Sequence, residues 1–390
     1  MTLPPHVPVL VIGAGPAGLA TSACLRRAGV AHDVIEREAE VAPTWRRHYE
    51  RLHLHTVKQH SALPMAPWPA QAPTYPSRDE VVDYLTRYAR EQAVAPHFGV
   101  ALQRLSRADG GYRVQTSAGT VTARAVVMAT GYNRLPFVPE LPGQDQFLGL
   151  QGHAASYRHA GPYQGRRTLV VGCGNSGAEI ALDLAEQGEA VSLVVRGPVH
   201  VAPRDLFGRP TQPTNILLSH LPLGLRDAIA GASLRLAVGD LSRWGIVRPV
   251  LGPNTMIERL GRIPLLDIGT IDLIKRGRIL VKPGVLALTA KGASFMDDST
   301  APYEAIIYAT GYRTGLAELI DGFEAIADAR GRPRHFGPDT DWPGLHFVGF
   351  RNPSTGALRE IALEAPRVAA ALAARLAPGA PTAPRGRRAP

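Results

Sequence analysis

Two glycine-spaced segments carry the residues whose types and spacing could do chemistry. Gly13-Ala14-Gly15-Pro16-Ala17-Gly18 follows the apolar run at residues 7–12 and opens a small-residue stretch at 19–28. In this arrangement the first glycine permits a tight turn, the second lets backbone approach a pyrophosphate, and the third lets helix and strand pack closely. The unpaired N–H groups and the positive dipole end of the helix then face the phosphates. Glu36 falls about twenty residues on, where a carboxylate accepts hydrogen bonds from a ribose diol. Gly172-Cys173-Gly174-Asn175-Ser176-Gly177 repeats the design after the apolar run at 167–171, but its second strand ends in Arg196. An arginine there pairs with a 2′-phosphate that a carboxylate would repel, which selects NADPH over NADH; the alternative is a solvated surface arginine. Asn175 and Ser176 could bond the pyrophosphate or serve as helix caps.

The elements that must position these loops can be read from the same stretches. Each unit is a buried strand, a glycine turn, a helix closed by glycine (Gly29, Gly188) and a parallel strand. Much later each is followed by an apolar run ending in Ala-Thr-Gly-Tyr, at Gly131-Tyr132 and at Gly311-Tyr312. Small residues at a strand's carboxyl end sit where doubly wound sheets meet their ligands, and they let the chain cross between domains. Residues 111–124 alternate like an antiparallel strand pair. The expected fold class is α/β, with two Rossmann-like dinucleotide-binding domains, the second inserted into the first. The first takes residues 1–142 and 291–378, the second 143–290, and a Pro/Ala/Gly-rich tail at 379–390 is expected to be disordered.

Composition bounds the alternatives. A chain of 390 residues, 45% hydrophobic, can bury substantial cores and divide into domains. The net charge of +10 is nearly all arginine, lysine being confined to Lys58, Lys275, Lys282 and Lys291. The arginines are scattered apart from Arg385, Arg387 and Arg388 in the tail, a pattern that fits anionic cofactors better than nucleic acid. Cys24 and Cys173 lie in different nucleotide segments and form no Cys-x-x-Cys, which argues against a disulfide scaffold and against a dithiol reductase. With no apolar run of spanning length, and a short Pro-rich lead in place of a targeting peptide, a cytoplasmic protein is expected. A metal site at His53, His55 and His60 would lack nearby carboxylates or cysteines. The amphipathic stretch at 216–241 reads as a helical lid or packed interface rather than a membrane-surface element.

Between the two units lies Phe147-x-Gly149-x-x-x-His153-x-x-x-Tyr157, which resembles the fingerprint of flavin-containing monooxygenases and N-hydroxylases; Baeyer–Villiger relatives usually end it in tryptophan. The resemblance spans nearly the whole chain and is nearest to the YUCCA flavin monooxygenases, which convert indole-3-pyruvate to indole-3-acetate in plants. It is carried by residues 13–25, by Arg51-Leu-His-Leu-His55 with Lys58-Gln59, and by residues 73–76, 169–184, 192–203, 236–253 and 264–274. Departures are Val57 where the family usually has proline, Ala154-Ala155 in place of a more polar pair, the segment 208–232, and residues 348–356 near the flavin end.

The resemblance implies FAD and NADPH as cofactors, and O2 and a small molecule as substrates. It implies oxygen transfer through a C4a-(hydro)peroxyflavin, with the protein positioning the reactants and excluding water. A 2-oxo acid would lose carbon dioxide, whereas an amine or sulfide would gain oxygen at the heteroatom; a flavin reductase that inserts no oxygen is a third reading. His55 and Lys58 match the flavin-facing segment and are the candidate catalytic residues, hydrogen-bonded structural histidines being the alternative for the former. His53 and His55, if on a strand, share one face. Trp45 matches a tryptophan near FAD, and His153, Tyr157, Gly131 and Gly311 join the cofactor-binding set. Oligomerisation is common among such relatives, which puts a homodimer among the expected states.

Overall fold

The computed structural model describes residues 3–377; the tail predicted at 379–390, with its three arginines, lies outside the described residues. The chain opens with β1 (His6–Ile12), α1 (Pro16–Arg27) and β2 (His32–Glu36), the βαβ unit expected from its glycines. After Ser77, which caps α2 (Arg78–Glu91) in a reciprocal capping box with Glu80, come β3 (His97–Phe98), β4 (Leu102–Ala108), β5 (Gly111–Thr116) and β6 (Gly119–Met128). These strands form one sheet in the order β3-β2-β1-β6-β5-β4, with β4, β5 and β6 an antiparallel meander and β6 parallel to β1. Ile12 stands level with Ile35 and Met128, so the carboxyl ends of three strands meet at the first glycine loop.

The second unit begins after β7 (Leu135–Pro136) with β8 (Leu150–His153), β9 (Thr168–Val171), α3 (Asn175–Glu186) and β10 (Val191–Val194). Helices α4 (Thr211–Leu218) and α5 (Leu223–Val238) follow, then two shorter helices at Pro253–Leu260 and Thr270–Lys275, then β11 (Ile279–Lys282) and a three-stranded antiparallel sheet of β12 (Val285–Thr289), β13 (Gly292–Phe295) and β14 (Thr300–Pro302). The predicted amphipathic stretch is therefore helical but broken between α4 and α5. Leu234 is its one buried side chain in α5, while Leu217, Leu225 and Leu236 are exposed. β15 (Ala305–Tyr308) lies between β9 and β8, closing a parallel sheet in the order β11-β10-β9-β15-β8.

That pairing moves one expected boundary. Residues 291–308 were assigned to the first domain, but β15 is hydrogen-bonded on both sides within the second sheet. The return crossing falls instead at Gly311. There β16 (Tyr312–Arg313) runs antiparallel to β7, the outward crossing, so the two connections are zipped side by side. The chain then re-enters the first sheet with β17 (Leu345–Phe347), parallel to β6, and ends the described region in α6 (Ala357–Leu376), packed on α1. Each sheet carries apolar clusters on both faces, as buried parallel strands require.

Candidate active site

The two glycine loops have the same geometry. A Cβ at Gly18 would sit 1.7 Å from the Gly13 carbonyl oxygen, and one at Gly177 would sit 1.9 Å from that of Gly172. Gly13 and Gly172 turn at φ of 112° and 114°, a region that favours glycine. At Gly15 and Gly174, by contrast, an added Cβ meets nothing within 4 Å, leaving backbone open to an approaching pyrophosphate. These glycines are the N-caps of α1 and α3, and neither helix has a side-chain cap. Uncapped N–H groups at paired helix ends fit two bound dinucleotides.

The strand ends differ as expected. The buried Glu36 carboxylate accepts hydrogen bonds from the backbone N–H of Ala14 (2.7 Å) and of Glu38 (3.0 Å), which bind it to the turn above Pro16 and Ala17. Arg196 is exposed beyond β10, with its stem near Gly284. Asn175 uses its side-chain oxygen to accept from the Leu266 N–H at 2.9 Å, so its cap role is toward a neighbouring strand. Ser176 lies against the Tyr49 hydroxyl.

The fingerprint residues lock the junction. The His153 ring accepts from the Ala155 N–H at Nδ1 (3.0 Å), so Nε2 carries the proton and donates to the Gly311 carbonyl (3.0 Å). Its ring also stands edge-on to Tyr312 at 5.0 Å. Tyr157, 1% exposed, donates to Asp183 of α3 at 2.6 Å. Both residues were expected to bind cofactor; within the chain their polar atoms are spent on holding β8 to the return crossing and to the second helix. Gly131 and Gly311 turn at φ of 74° and 89° with open space beside them.

The flavin-side segment departs from the expected strand. Residues 52–61 run as a bridge, a bend and a short turn of 3-10 helix, so His53 and His55 do not share a face. His53 is exposed and bonded to the Arg51 carbonyl at 2.7 Å, whereas His55 turns inward. Its Nε2 lies 2.6 Å from a carboxylate oxygen of Glu179 on α3. Lys58, expected to be catalytic, has its ammonium turned to the carbonyls of Pro69 (3.4 Å), Ala70 (2.7 Å) and Ala72, so its donors are used to hold the 69–72 turn. Trp45 packs against the cores of both units and meets His48 edge-on at 5.6 Å.

With this geometry in view, comparison with known proteins identifies the family. The pyridine nucleotide-disulphide oxidoreductase family matches residues 10–206. The indole-3-pyruvate monooxygenase YUCCA1 of Oryza sativa subsp. japonica is 40% identical over 349 residues, which cover 87% of this chain and 86% of the relative. The chain belongs to the YUCCA monooxygenase family. It is a flavin-dependent monooxygenase. Its fold matches that of a flavin-containing monooxygenase from Stenotrophomonas maltophilia (TM-score 0.72, 24% identity, 97% of this chain and 100% of that one). It also matches OTEMO, solved as a complex with FAD and NADP (TM-score 0.69, 18% identity, 96% and 86% coverage).

A YUCCA-type site needs no dithiol, and the two thiols here are unsuited to being one. Burial pushes Cys24 up to about 11, and burial with the Asp267 carboxylate pushes Cys173 up to about 12. Both stay protonated and unreactive near neutral pH. Sequence reasoning missed Glu179, His48, Tyr49, Gln212 and Asp183. Glu179 sits among Ala178, Ile180 and Ala181 on the buried face of α3, and an acid inside an apolar run was the available signal. Gln212 left no such mark. Its side chain accepts from the Val57 N–H (2.8 Å) and donates to the Thr355 carbonyl (2.6 Å), joining α4 to two loops that departed from the family pattern.

Proposed function

We propose that this chain is an FAD- and NADPH-dependent monooxygenase that decarboxylates a 2-oxo acid oxidatively, indole-3-pyruvate being the leading substrate. The observation that carries the reading is 40% identity, along nearly the full length of both chains, to a protein named for that substrate. The balanced reaction takes the oxo acid, NADPH, a proton and O2 to the acid one carbon shorter, CO2, NADP and water.

The first glycine loop, with Glu36 behind it, is the FAD site, and the second, with Arg196 at its rim, is the NADPH site. Bound FAD, once reduced, supplies the oxygen-activating chemistry. The chain's own residues hold the pieces. Gly15 and Gly174 expose backbone N–H groups to the two pyrophosphates. His153 ties β8 to the return crossing through Gly311, and Tyr157 ties the segment after β8 to α3 within the second unit. His55 is the polar group on the flavin side, and Lys58 shapes the turn beneath it. Near His55, α4 and the 353–356 loop close over the segment through Gln212 and limit water entry, on which coupling of NADPH use to product depends.

The test is NADPH and oxygen consumption by FAD-loaded protein with indole-3-pyruvate, phenylpyruvate, and a panel of amines and sulfides, with products identified by mass. Indole-3-acetate formed in step with NADPH use is the expected result. Oxygen delivered to a heteroatom while the oxo acids stay untouched would overturn the substrate and leave the two nucleotide sites standing.

A further inference from the structure

Among the described residues, the least satisfied polar cluster spans the two nucleotide-binding units. Glu179 is 1% exposed, on the first turns of α3 just beyond the second glycine loop. Among the described residues its two carboxylate oxygens have no aligned hydrogen-bond donor, yet Oε1 lies 2.6 Å from His55 Nε2. His55 comes from the flavin-side segment, and its other ring nitrogen, Nδ1, is also buried without a partner in the chain. A buried carboxylate without compensation costs several kcal/mol, so its retention calls for a positive or donating neighbour.

The surrounding groups narrow which neighbour that is. Arg51 is taken by Glu186 (2.7 Å) and Asp183 (3.5 Å). Arg158 donates to the carbonyls of Ala155 and Tyr157. Burial first, and Arg158 next, pull His48 down to about 4, so it is neutral near pH 7. Burial, reinforced by the Glu179 charge, pushes Tyr49 well above its usual range, and its phenol stays protonated. That protonated phenol lies against Glu179 as one neighbouring donor, and the imidazole of His55, with Nε2 2.6 Å from Oε1, is the other.

We propose that Glu179 is a positioning residue for His55: it keeps the ring's proton on Nε2 and so presents the Nδ1 lone pair to the bound ligands. A carboxylate that fixes the tautomer and orientation of an imidazole is a recurrent device, and exchanging it for an amide damages function by favouring the wrong tautomer. Here the device reaches across from the helix of one nucleotide site to the flavin side of the other. The inference rests on His55 facing the flavin, but its test does not depend on the substrate.

The experiment uses FAD-loaded full chain with 15N-labelled histidine, the His55 signals being assigned by their loss in His55→Gln. Two-bond proton–nitrogen spectra at neutral pH are expected to show the Nε2–H tautomer, and Glu179→Gln is expected to shift the ring toward Nδ1–H. In parallel, substrate-free NADPH-driven oxygen uptake should lose about tenfold or more in kcat in Glu179→Gln, with KM for NADPH nearly unchanged and partial recovery in Glu179→Asp. An Nδ1–H ring in the wild-type protein overturns the proposal without any variant, so misfolding of Glu179→Gln cannot shelter it. So does a variant whose melting temperature falls while kcat and KM change together, which would mark a purely structural tie. Failure on indole-3-pyruvate with the Nε2–H ring intact would count against the substrate and not against Glu179.

Discussion

At the residue scale, the two third glycines are the most sharply constrained positions. A methyl at either would need to occupy space within 2 Å of a carbonyl oxygen, so the loop must open and its N–H groups must turn away. Gly18→Ala should yield protein depleted in flavin, measured by the ratio of flavin to protein absorbance. Gly177→Ala should keep its flavin and show KM for NADPH raised about tenfold or more, the scale of one or two lost charge-assisted bonds. Equal loss of flavin in both variants would break the assignment of cofactors to loops. His48 makes a second prediction, in pH. Its folded-state value is about 4 against 6.5 in an unfolded chain, so below 6.5 the unfolded state binds the proton and the folded state does not. Stability therefore falls as pH drops from about 6.5 to about 4, by up to ~3 kcal/mol. His48→Gln should flatten that part of the profile in chemical denaturation, less the share contributed by His32, His153 and His346, whose burial lowers them in the same sense. An unchanged slope would mean that His48 is hydrated.

At the scale of elements, the polar atoms of the fingerprint join β8 and the segment after it to the return crossing and to α3. Tyr157→Phe removes a 2.6 Å bond and leaves the half-buried Asp183 with Arg51 at 3.5 Å. The expected cost is about 1–3 kcal/mol in urea denaturation, with kcat preserved in the surviving enzyme. A variant as stable as the parent but without NADPH oxidation would return Tyr157 to the cofactor-binding set. What was legible in the sequence follows the same division. The βαβ units were read to within about three residues because a glycine turn, a strand and a helix are local, and Gly13, Glu36 and Gly177 each answer a short-range requirement. The ends of Ala-Thr-Gly-Tyr were read as crossings for the same reason. The sheet that β15 joins was misassigned because strand pairing is long-range, and nothing in Ala305–Tyr308 tells which neighbour it will find. The pairing of His55 with Glu179 and the bridge made by Gln212 escaped notice because no short-range pattern names a partner that arrives only when two units pack.

At the scale of the whole molecule, the two sheets are joined by paired crossings at β7 and β16, and their ligand-facing loops are held together by a few long-range polar contacts. Gln212 makes two of these contacts, on the side proposed to face the flavin. It is 5% exposed, and it holds α4 to Val57 next to Thr56 and to Thr355. The loop containing Thr355 begins at Gly349, where an added Cβ would lie 2.8 Å from Ala17 of the first glycine loop, and it ends at Gly356, which abuts Thr56. A side chain that bonds both loops therefore spans from the flavin segment to the start of α1. Gln212→Leu keeps the volume nearly unchanged but strands the Val57 N–H and the Thr355 carbonyl, each worth about 1–3 kcal/mol when buried unpaired. The cheapest relief is for α4 to lift and admit water to those groups. Flavin content and KM for NADPH should then change little, because neither glycine loop is touched. The ratio of product formed to NADPH consumed should fall, with hydrogen peroxide released in its place, because water reaches the site where oxygen is activated. If coupling holds while flavin is lost, the bond serves FAD binding and α4 is not the cover. If both hold, the buried pair is dispensable and the barrier to water lies elsewhere in the cleft.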